Sequence, residues 1–354
     1  MAKNIPRKIS FSRKAIYFIL NTFFPKNSIG ISRLKFWVLK PIHIRYLQLS
    51  LTYDCQCSCV HCGMSKYKNS GQLLSPEEIY RIIDNLVSCG FGQIDFFGGE
   101  PLLDKNISKY IKYANLKGIF THINTNGILL TKETVTELRK SGLCAISISF
   151  DSPNSAKHDK NRLYSGAFKS ALEGSRLCIA NKIKTIMSIY SSYQDINNGE
   201  TQKLIEIAKM EGFSHVRLLA PFRSGNLSNL DNIDNEREKI IEFVSKNKLK
   251  EFIKPHGLEK CFINYKTTAY ISPFGDVQPC SMTPFKFGNI RNKKLNKITQ
   301  EMWKHPLCNI PGHGCLMNSR YIKENFSDII NLKDTDLPID IQDIVSPQEK
   351  ALLR

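Results

Sequence analysis

Between residues 46 and 219, short runs rich in β-branched and aromatic residues alternate with longer segments whose apolar positions recur at helical spacing. That alternation builds parallel sheets from βαβ units. Strands are predicted over 46–52, 93–97, 120–124, 145–150, 184–190 and 215–219. The first intervening helix is well signed, with Ser75 as N-cap, Pro76 at the first helical position and Glu78 closing a capping box. Ile79, Ile82, Ile83, Leu86 and Val87 then give it one apolar face. Further helices are expected near 105–116, 131–140, 166–181, 200–211 and 234–246. Six strands with helical crossovers can curl into a partial barrel or lie open as a doubly wound sheet, and in both cases ligands belong at the carboxyl ends of the strands. Cys55, Gly98-Gly99-Glu100, Asn126-Gly127 and Asp151 follow strands one to four in turn, so all four fall on one rim.

Outside this core the pattern changes. Residues 223–258 are rich in Asn, Ser and charge and read as a connector, and 319–354 form a polar tail. Between them, 259–318 carry four cysteines and a hairpin signal at Ser272-Pro273-Phe274-Gly275-Asp276. At 354 residues and 42% hydrophobic content the chain can bury one large α/β core, here assigned to 46–222, plus a small appendage.

The net charge of +18 is unevenly placed: residues 1–53 hold ten Lys or Arg and no Asp or Glu, leaving 40 basic against 32 acidic residues elsewhere. A basic extension over 1–45 attracts anionic lipid, nucleic acid or an acidic peptide, and its sign alone does not choose among them. Within it, Ala15 to Phe24 is apolar but shorter than the roughly 20 residues a bilayer span needs, and no A-x-A cleavage site follows. It reads as a helix packed on the domain, with peripheral membrane contact as the alternative.

Eleven cysteines, an odd number clustered at two places, argue against a secreted disulfide framework and for metal sites in a reducing cytoplasm. Residues 53–63 contain CxxxCxxC as Cys55, Cys59 and Cys62. Three thiolates on one loop suit a cubane in which one iron is left open to bind a further ligand, whereas structural zinc wants a closed tetrahedron. Cys57 adds a fourth thiol, but four ligands within eight residues would be crowded, and it is expected to point away from the cluster. Cys89, Cys144 and Cys178 read as small buried hydrophobes.

With Gly98-Gly99-Glu100-Pro101 after strand two, the chain resembles the radical S-adenosylmethionine (SAM) superfamily. The run Ser149-Phe150-Asp151-Ser152, His158-Asp159 and Arg162 is similar to the S-x-D-G…H-D-x-x-R stretch of its sulfatase-maturase-like subgroup. Ser152 stands where that subgroup has Gly, and His61 where an aromatic ring commonly lies against adenine. The resemblance implies a partial (β/α)6 barrel of TIM type, followed by a small cysteine-rich domain containing a β-hairpin. It also implies SAM contacts from His61, Gly98, Gly99, Glu100, Pro101, Asn126, Ser149, Asp151, Arg162 and Leu219, and a SAM-binding 4Fe-4S cluster on Cys55, Cys59 and Cys62.

From Cys261 the spacing to Gly275 and Cys280 resembles the opening of a SPASM or Twitch auxiliary-cluster domain, and Cys308 and Cys315 are the thiols available to complete a second 4Fe-4S site. Zinc on the same four cysteines stays open as an alternative. The activity implied is reductive cleavage of SAM to a 5′-deoxyadenosyl radical, which abstracts hydrogen from a peptide or protein side chain that is then oxidised or crosslinked. Dehydrogenation of an alcohol carbon in a sugar or polyol is the second possibility. A flavodoxin or ferredoxin is the expected one-electron reductant. A zinc-bearing, basic nucleic-acid binder is the alternative of another class, but it leaves Gly98 to Pro101 unexplained, and nucleic acid is not expected as a partner.

Overall fold

The computed structural model describes residues 45–64, 71–222, 224–227, 233–256, 261–310, 315–319, 322 and 337–344. The basic extension, with its apolar run, and most of the tail lie outside the described residues.

The six expected strands are present as β1 (Arg45–Ser50), β2 (Phe91–Phe97), β3 (Phe120–Thr125), β4 (Ala145–Phe150), β5 (Lys184–Tyr190) and β6 (His215–Leu219). Helices α1 (Pro76–Leu86), α2 (Ile107–Leu116), α3 (Lys132–Lys140), α4 (Ser155–Arg162), α5 (Ala167–Ala180), α6 (Tyr193–Asn197) and α7 (Glu200–Met210) fill the crossovers. The capping box on α1 forms as expected, with Glu78 N–H donating to Ser75 Oγ at 3.3 Å and Ser75 N–H donating to Glu78 Oε2 at 2.8 Å.

β1 to β6 pair in parallel in strict chain order. Because βα crossovers are right-handed, laying strands down in one direction puts every crossover helix on the same face. A doubly wound sheet needs a reversal of strand order to cover both faces, and β1 to β6 have none. The sheet is therefore the partial barrel. Its outer face is a fully buried apolar layer that includes Leu47, Leu49, Ile94, Phe96, Ile123, Ile146, Ile148, Phe150, Met187, Ile189, Val216 and Leu218. Each such side chain contributes about 1.5–3 kcal/mol by leaving water.

The sheet continues past residue 222. After α8 (Ile233–Lys246), β7 (Ile253–His256) extends it in parallel beside β6, inside the segment expected to be a connector. At the other edge β8 (Thr268–Ile271) pairs in parallel with β1, and β9 (Val277–Gln278) returns antiparallel to β8 through the expected hairpin. The cysteine-rich unit thus shares the core's sheet. β10 (Phe285–Lys286) pairs with the short β11 (Ile339–Asp340), which leads into α10 (Ile341–Ile344).

Beyond the β1–β8 pairing, the side chains of Trp303 and Arg291 also fasten this unit to the core. On α9 (Leu295–Lys304), Trp303 packs against Phe91 at 5.8 Å, lies under the Arg45 guanidinium at 4.3 Å, and donates its indole N–H to Thr268 O at 3.4 Å. Arg291 clamps both oxygens of Glu78 at 2.7 and 3.0 Å and donates to the carbonyls of Gln72, Leu73 and Phe274. The Arg291 hydrogen bond holds the Glu78 carboxyl below its ordinary value of 4.5.

Replacing Arg291 by Met should lower the unfolding free energy by about 1–2 kcal/mol in urea titrations at pH 7. A carboxylate held low in the folded state stabilises fully above its unfolded value and loses that contribution on acidification. The gap between wild type and Arg291→Met should accordingly narrow as pH falls below 4.5.

Candidate active site

The loop carrying Cys55, Cys57, Cys59 and Cys62 leaves β1 and is held at three places. At its root, the Gly99 and Glu100 N–H groups donate to the carbonyls of Thr52 and Asp54, both at 2.8 Å. The approach is so close that a Cβ at Gly98 would overlap the Thr52 carbonyl, and one at Gly99 the Asp54 carbonyl; Gly98 also holds φ +136°. These glycines are required by the cysteine loop itself. Mid-loop, Ser58 and Val60 N–H groups donate to the carbonyls of Arg162 and Asn161 at the end of α4, at 3.2 and 2.9 Å. Beyond Cys59, Asn226 donates its backbone N–H to Cys62 O at 3.1 Å and its side-chain N–H to Cys59 O at 2.9 Å, while Ser224 Oγ donates to Gly63 O at 3.1 Å. Gly225, at φ +57°, allows this turn, since a Cβ there would overlap the Cys62 carbonyl.

Two side-chain N–H donors reach the thiols. Asn126 Nδ2 lies 3.6 Å from Cys55 Sγ, and Arg162 Nη1 lies 3.7 Å from Cys59 Sγ. Contrary to expectation, Cys57 does not point away. Its residue lines the same cavity as Cys55, Cys59 and Cys62, and the influence of its thiol brings Cys55 down to about 6 and Cys59 down to about 7 while its own is pushed up. The reason is local: the loop turns tightly enough that Cys57 N–H also donates to Cys55 Sγ at 3.4 Å.

A cavity of about 770 Å³ opens beside the loop, within the usual size of a ligand site. Cys55, Cys59, Cys62, His61, Gly98, Gly99, Asn126, Ser149, Arg162 and Leu219 all line it. Glu100, Pro101 and Asp151 lie behind the lining. Glu100 is fully buried and accepts from Thr125 Oγ1 at 2.8 Å, Asn126 N–H at 2.9 Å and Leu102 N–H at 3.1 Å, so it braces the end of β3. Burial pushes its carboxyl up to about 7 against the pull of those donors. Asp151 accepts from Arg162 Nη2 at 2.6 Å and lies 3.6 Å from His61 Nε2, orienting both.

His61 is stacked on Tyr190 with ring centroids 4.3 Å apart and planes 10° from parallel. Burial holds its imidazole down to about 4, so it is neutral at pH 7. Tyr190 and Arg217 escaped the sequence reading, as did Gln48, Asn124 and Ser188, which join them in the lining. The signal was present. Strands of a parallel sheet covered on both faces read as near-continuous apolar runs. These strands instead place Gln48, Asp95, His122, Asn124, Ser147, Ser149, Ser188 and Arg217 at alternate positions, which marks a polar concave face.

The second cysteine set borders the same cavity through Cys261, Cys280 and Cys315, while Cys308 is buried behind it. Burial, with repulsion from neighbouring thiols, pushes Cys280 and Cys308 up to about 12. All eleven cysteines are free of disulfides. Buried, mutually repelling thiols suit a metal centre, where ligation removes their protons. Among the described residues no three His, Cys, Asp or Glu side chains converge tightly enough to hold a single metal ion, and a multi-iron cluster spaces its thiolates more widely. Among the described residues no helix is long and apolar enough to cross a membrane.

A family model for the radical SAM superfamily matches residues 49–208, and one for an iron-sulfur cluster-binding domain, SPASM, matches 261–306, ending short of Cys308. An AdoMet-dependent heme synthase of Methanosarcina barkeri is 30% identical over 291 residues, covering 72% of this chain and 81% of the relative. A PqqA peptide cyclase of Bradyrhizobium diazoefficiens is 32% identical over 126 residues, 35% of this chain and 33% of that protein. Among solved structures, Streptococcus suis SuiB bound to precursor peptide SuiA superposes with a TM-score of 0.57 at 16% identity, covering 76% of this chain and 68% of that one. The enzyme anSMEcpe with bound AdoMet superposes at 0.58 and 15% identity, covering 75% and 84%. With its cysteine loop, its rim motifs and both matches in register, the chain belongs to the radical SAM superfamily, as an enzyme carrying a SPASM-type iron-sulfur domain and using 4Fe-4S clusters and SAM.

Proposed function

We propose that this enzyme oxidises or crosslinks a side chain of a peptide or protein. The observation that carries this is the single cavity bordered by both cysteine sets, Cys55, Cys59 and Cys62 together with Cys261, Cys280 and Cys315. When bound, the first cluster and SAM would supply a 5′-deoxyadenosyl radical able to take hydrogen from an unreactive carbon. Cys55, Cys59 and Cys62 would hold that cluster, with Asn126 and Arg162 donating N–H to the cysteine sulfurs. Ser149, Leu219 and the His61–Tyr190 stack would shape the SAM side of the cavity and exclude water from it. Cys261, Cys280, Cys308 and Cys315 would hold the electron acceptor that net oxidation of a substrate needs.

A peptide substrate is supported by the names of two relatives, a PqqA peptide cyclase and SuiB bound to a precursor peptide. The 291-residue alignment with a heme synthase favours a second reading in which the substrate is a tetrapyrrole. In either case flavodoxin or ferredoxin would donate the electron, and the free thiols fit a reducing cytoplasm.

Anaerobically reconstituted enzyme with dithionite and SAM should release 5′-deoxyadenosine. Cys59→Ala should abolish that product, whereas Cys280→Ala should keep it and lose the iron of one cluster; 5′-deoxyadenosine persisting in Cys59→Ala would defeat the assignment. Gly225→Ala should lower iron retention at the first site, read from iron per chain and visible absorbance, because its Cβ displaces the Cys62 carbonyl. Peptides encoded beside the gene should lose two hydrogens by mass spectrometry, and deuterium on the reacting carbon should appear in 5′-deoxyadenosine. Conversion of a tetrapyrrole with every such peptide left intact would establish the second reading.

A further inference from the structure

Among the described residues two arginines line the cavity and are treated differently by their surroundings. Arg162 is neutralised by Asp151 at 2.6 Å. Arg217 points from the middle of β6 into the concave face, where Nη2 donates to Asn124 Oδ1 at 2.6 Å and to Ser188 Oγ at 3.1 Å, and Nε donates to Ser188 Oγ at 3.3 Å. Both partners are neutral. Among the described residues no carboxylate oxygen lies within 4.0 Å of the Arg217 guanidinium. Asp95 exerts an attraction from deeper in the barrel, but its oxygens are already engaged by Gln93 at 2.5 Å and His122 at 3.3 Å. Among the described residues Nη1 has no hydrogen-bond partner, and Arg217 lines the cavity.

A guanidinium desolvated without a counter-charge costs several kcal/mol, and it stays protonated because its ordinary value is so high. Burial does lower the Arg217 value. Asn124 and Ser188 take Nε–H and both Nη2–H donors and leave those on Nη1, which can give a charge-assisted hydrogen bond to an anion oxygen. Among the described residues no Lys lines the cavity, and this charge matches a monoanion better than a phosphate.

We infer that Arg217 receives a carboxylate of the substrate, with Asn124 and Ser188 as the residues that position its guanidinium. Arg217 sits two residues inside Leu219 and Tyr190 at the rim, level with Ser149 across Ser188. The substrate class is one that brings a carboxylate into the cavity, such as an acidic side chain. The inference rests on the reading that SAM and substrate share this cavity.

The test uses the full chain with both clusters reconstituted and SAM bound, kept anaerobic. N-acetylglutamate and its neutral counterpart N-acetylglutamine are titrated as probes and followed by ligand-observed NMR. Wild type should favour the acid by about tenfold or more, the value of one charge-assisted hydrogen bond. Arg217→Gln should erase that preference, Arg217→Lys should keep part of it, and affinity for SAM should hold in both. No preference in wild type, or a preference that survives in Arg217→Gln, overturns the inference. Loss of SAM affinity in Arg217→Gln with a folded circular dichroism spectrum also overturns it, by assigning Arg217 to the methionyl carboxylate. Failure of the radical reading is scored separately, as absence of 5′-deoxyadenosine from wild type with dithionite.

Discussion

With β1 to β7 laid down in chain order and in parallel, right-handed crossovers leave helices nowhere to go but one face. Everything else in the molecule follows from that one-sided cover. The covered face becomes a dry layer of Leu, Ile, Val, Phe and Met, and the other face must curl over itself or stay wet. It does the former and carries amide, hydroxyl, imidazole and guanidinium groups among its apolar ones. A concave polar face inside an apolar shell is a poor arrangement for stability and a good one for holding a charged substrate away from solvent.

The cysteine loop is placed in that cavity by backbone hydrogen bonds more than by side-chain packing. Gly98 to Glu100 after β2, the end of α4 and the turn at Ser224 to Leu227 each contribute main-chain donors or acceptors to it. Each anchor comes from a different crossover, so the loop reads the relative positions of several strands at once. Glu100 adds a further tie, since its buried carboxylate links the end of β2 to Asn126 on β3, and Asn126 in turn reaches Cys55.

Much of this was legible in the amino acids. The bounds of β4, β5 and β6 and the capping box of α1 agree with the pattern because apolar alternation and turn residues coincide there. The seventh strand was not legible: Ile253–His256 has one apolar residue, a lysine and a proline, and edge strands tolerate such content because one side needs no partner. Helix α4, Ser155–Arg162, has no apolar stripe at all; it is held by the Asn154 cap and by His158 and Arg162, which turn inward to polar groups. Cys57 was misplaced for the same kind of reason. A thiol between two others looks redundant in one dimension, and only the turn of the loop brings it to the cavity that both line. The cysteine triplet and the rim motifs were readable because they are contiguous, whereas Arg217, Tyr190 and Asn124 are assembled from strands far apart in the chain.

The parallel pairing of β8 with β1 has a consequence for how the enzyme can evolve and be engineered. Cys55 follows β1 and Cys280 follows β9, with β8 hydrogen-bonded between them and Trp303 tied to β8, so the spacing between the two redox centres is a lattice constant of the sheet and not the setting of a hinge. The cysteine-rich unit is therefore not a cassette. Exchanging it for that of a relative means re-laying an edge strand of the barrel, and selection for a new substrate would be channelled into the lining residues and the loops around the cavity mouth.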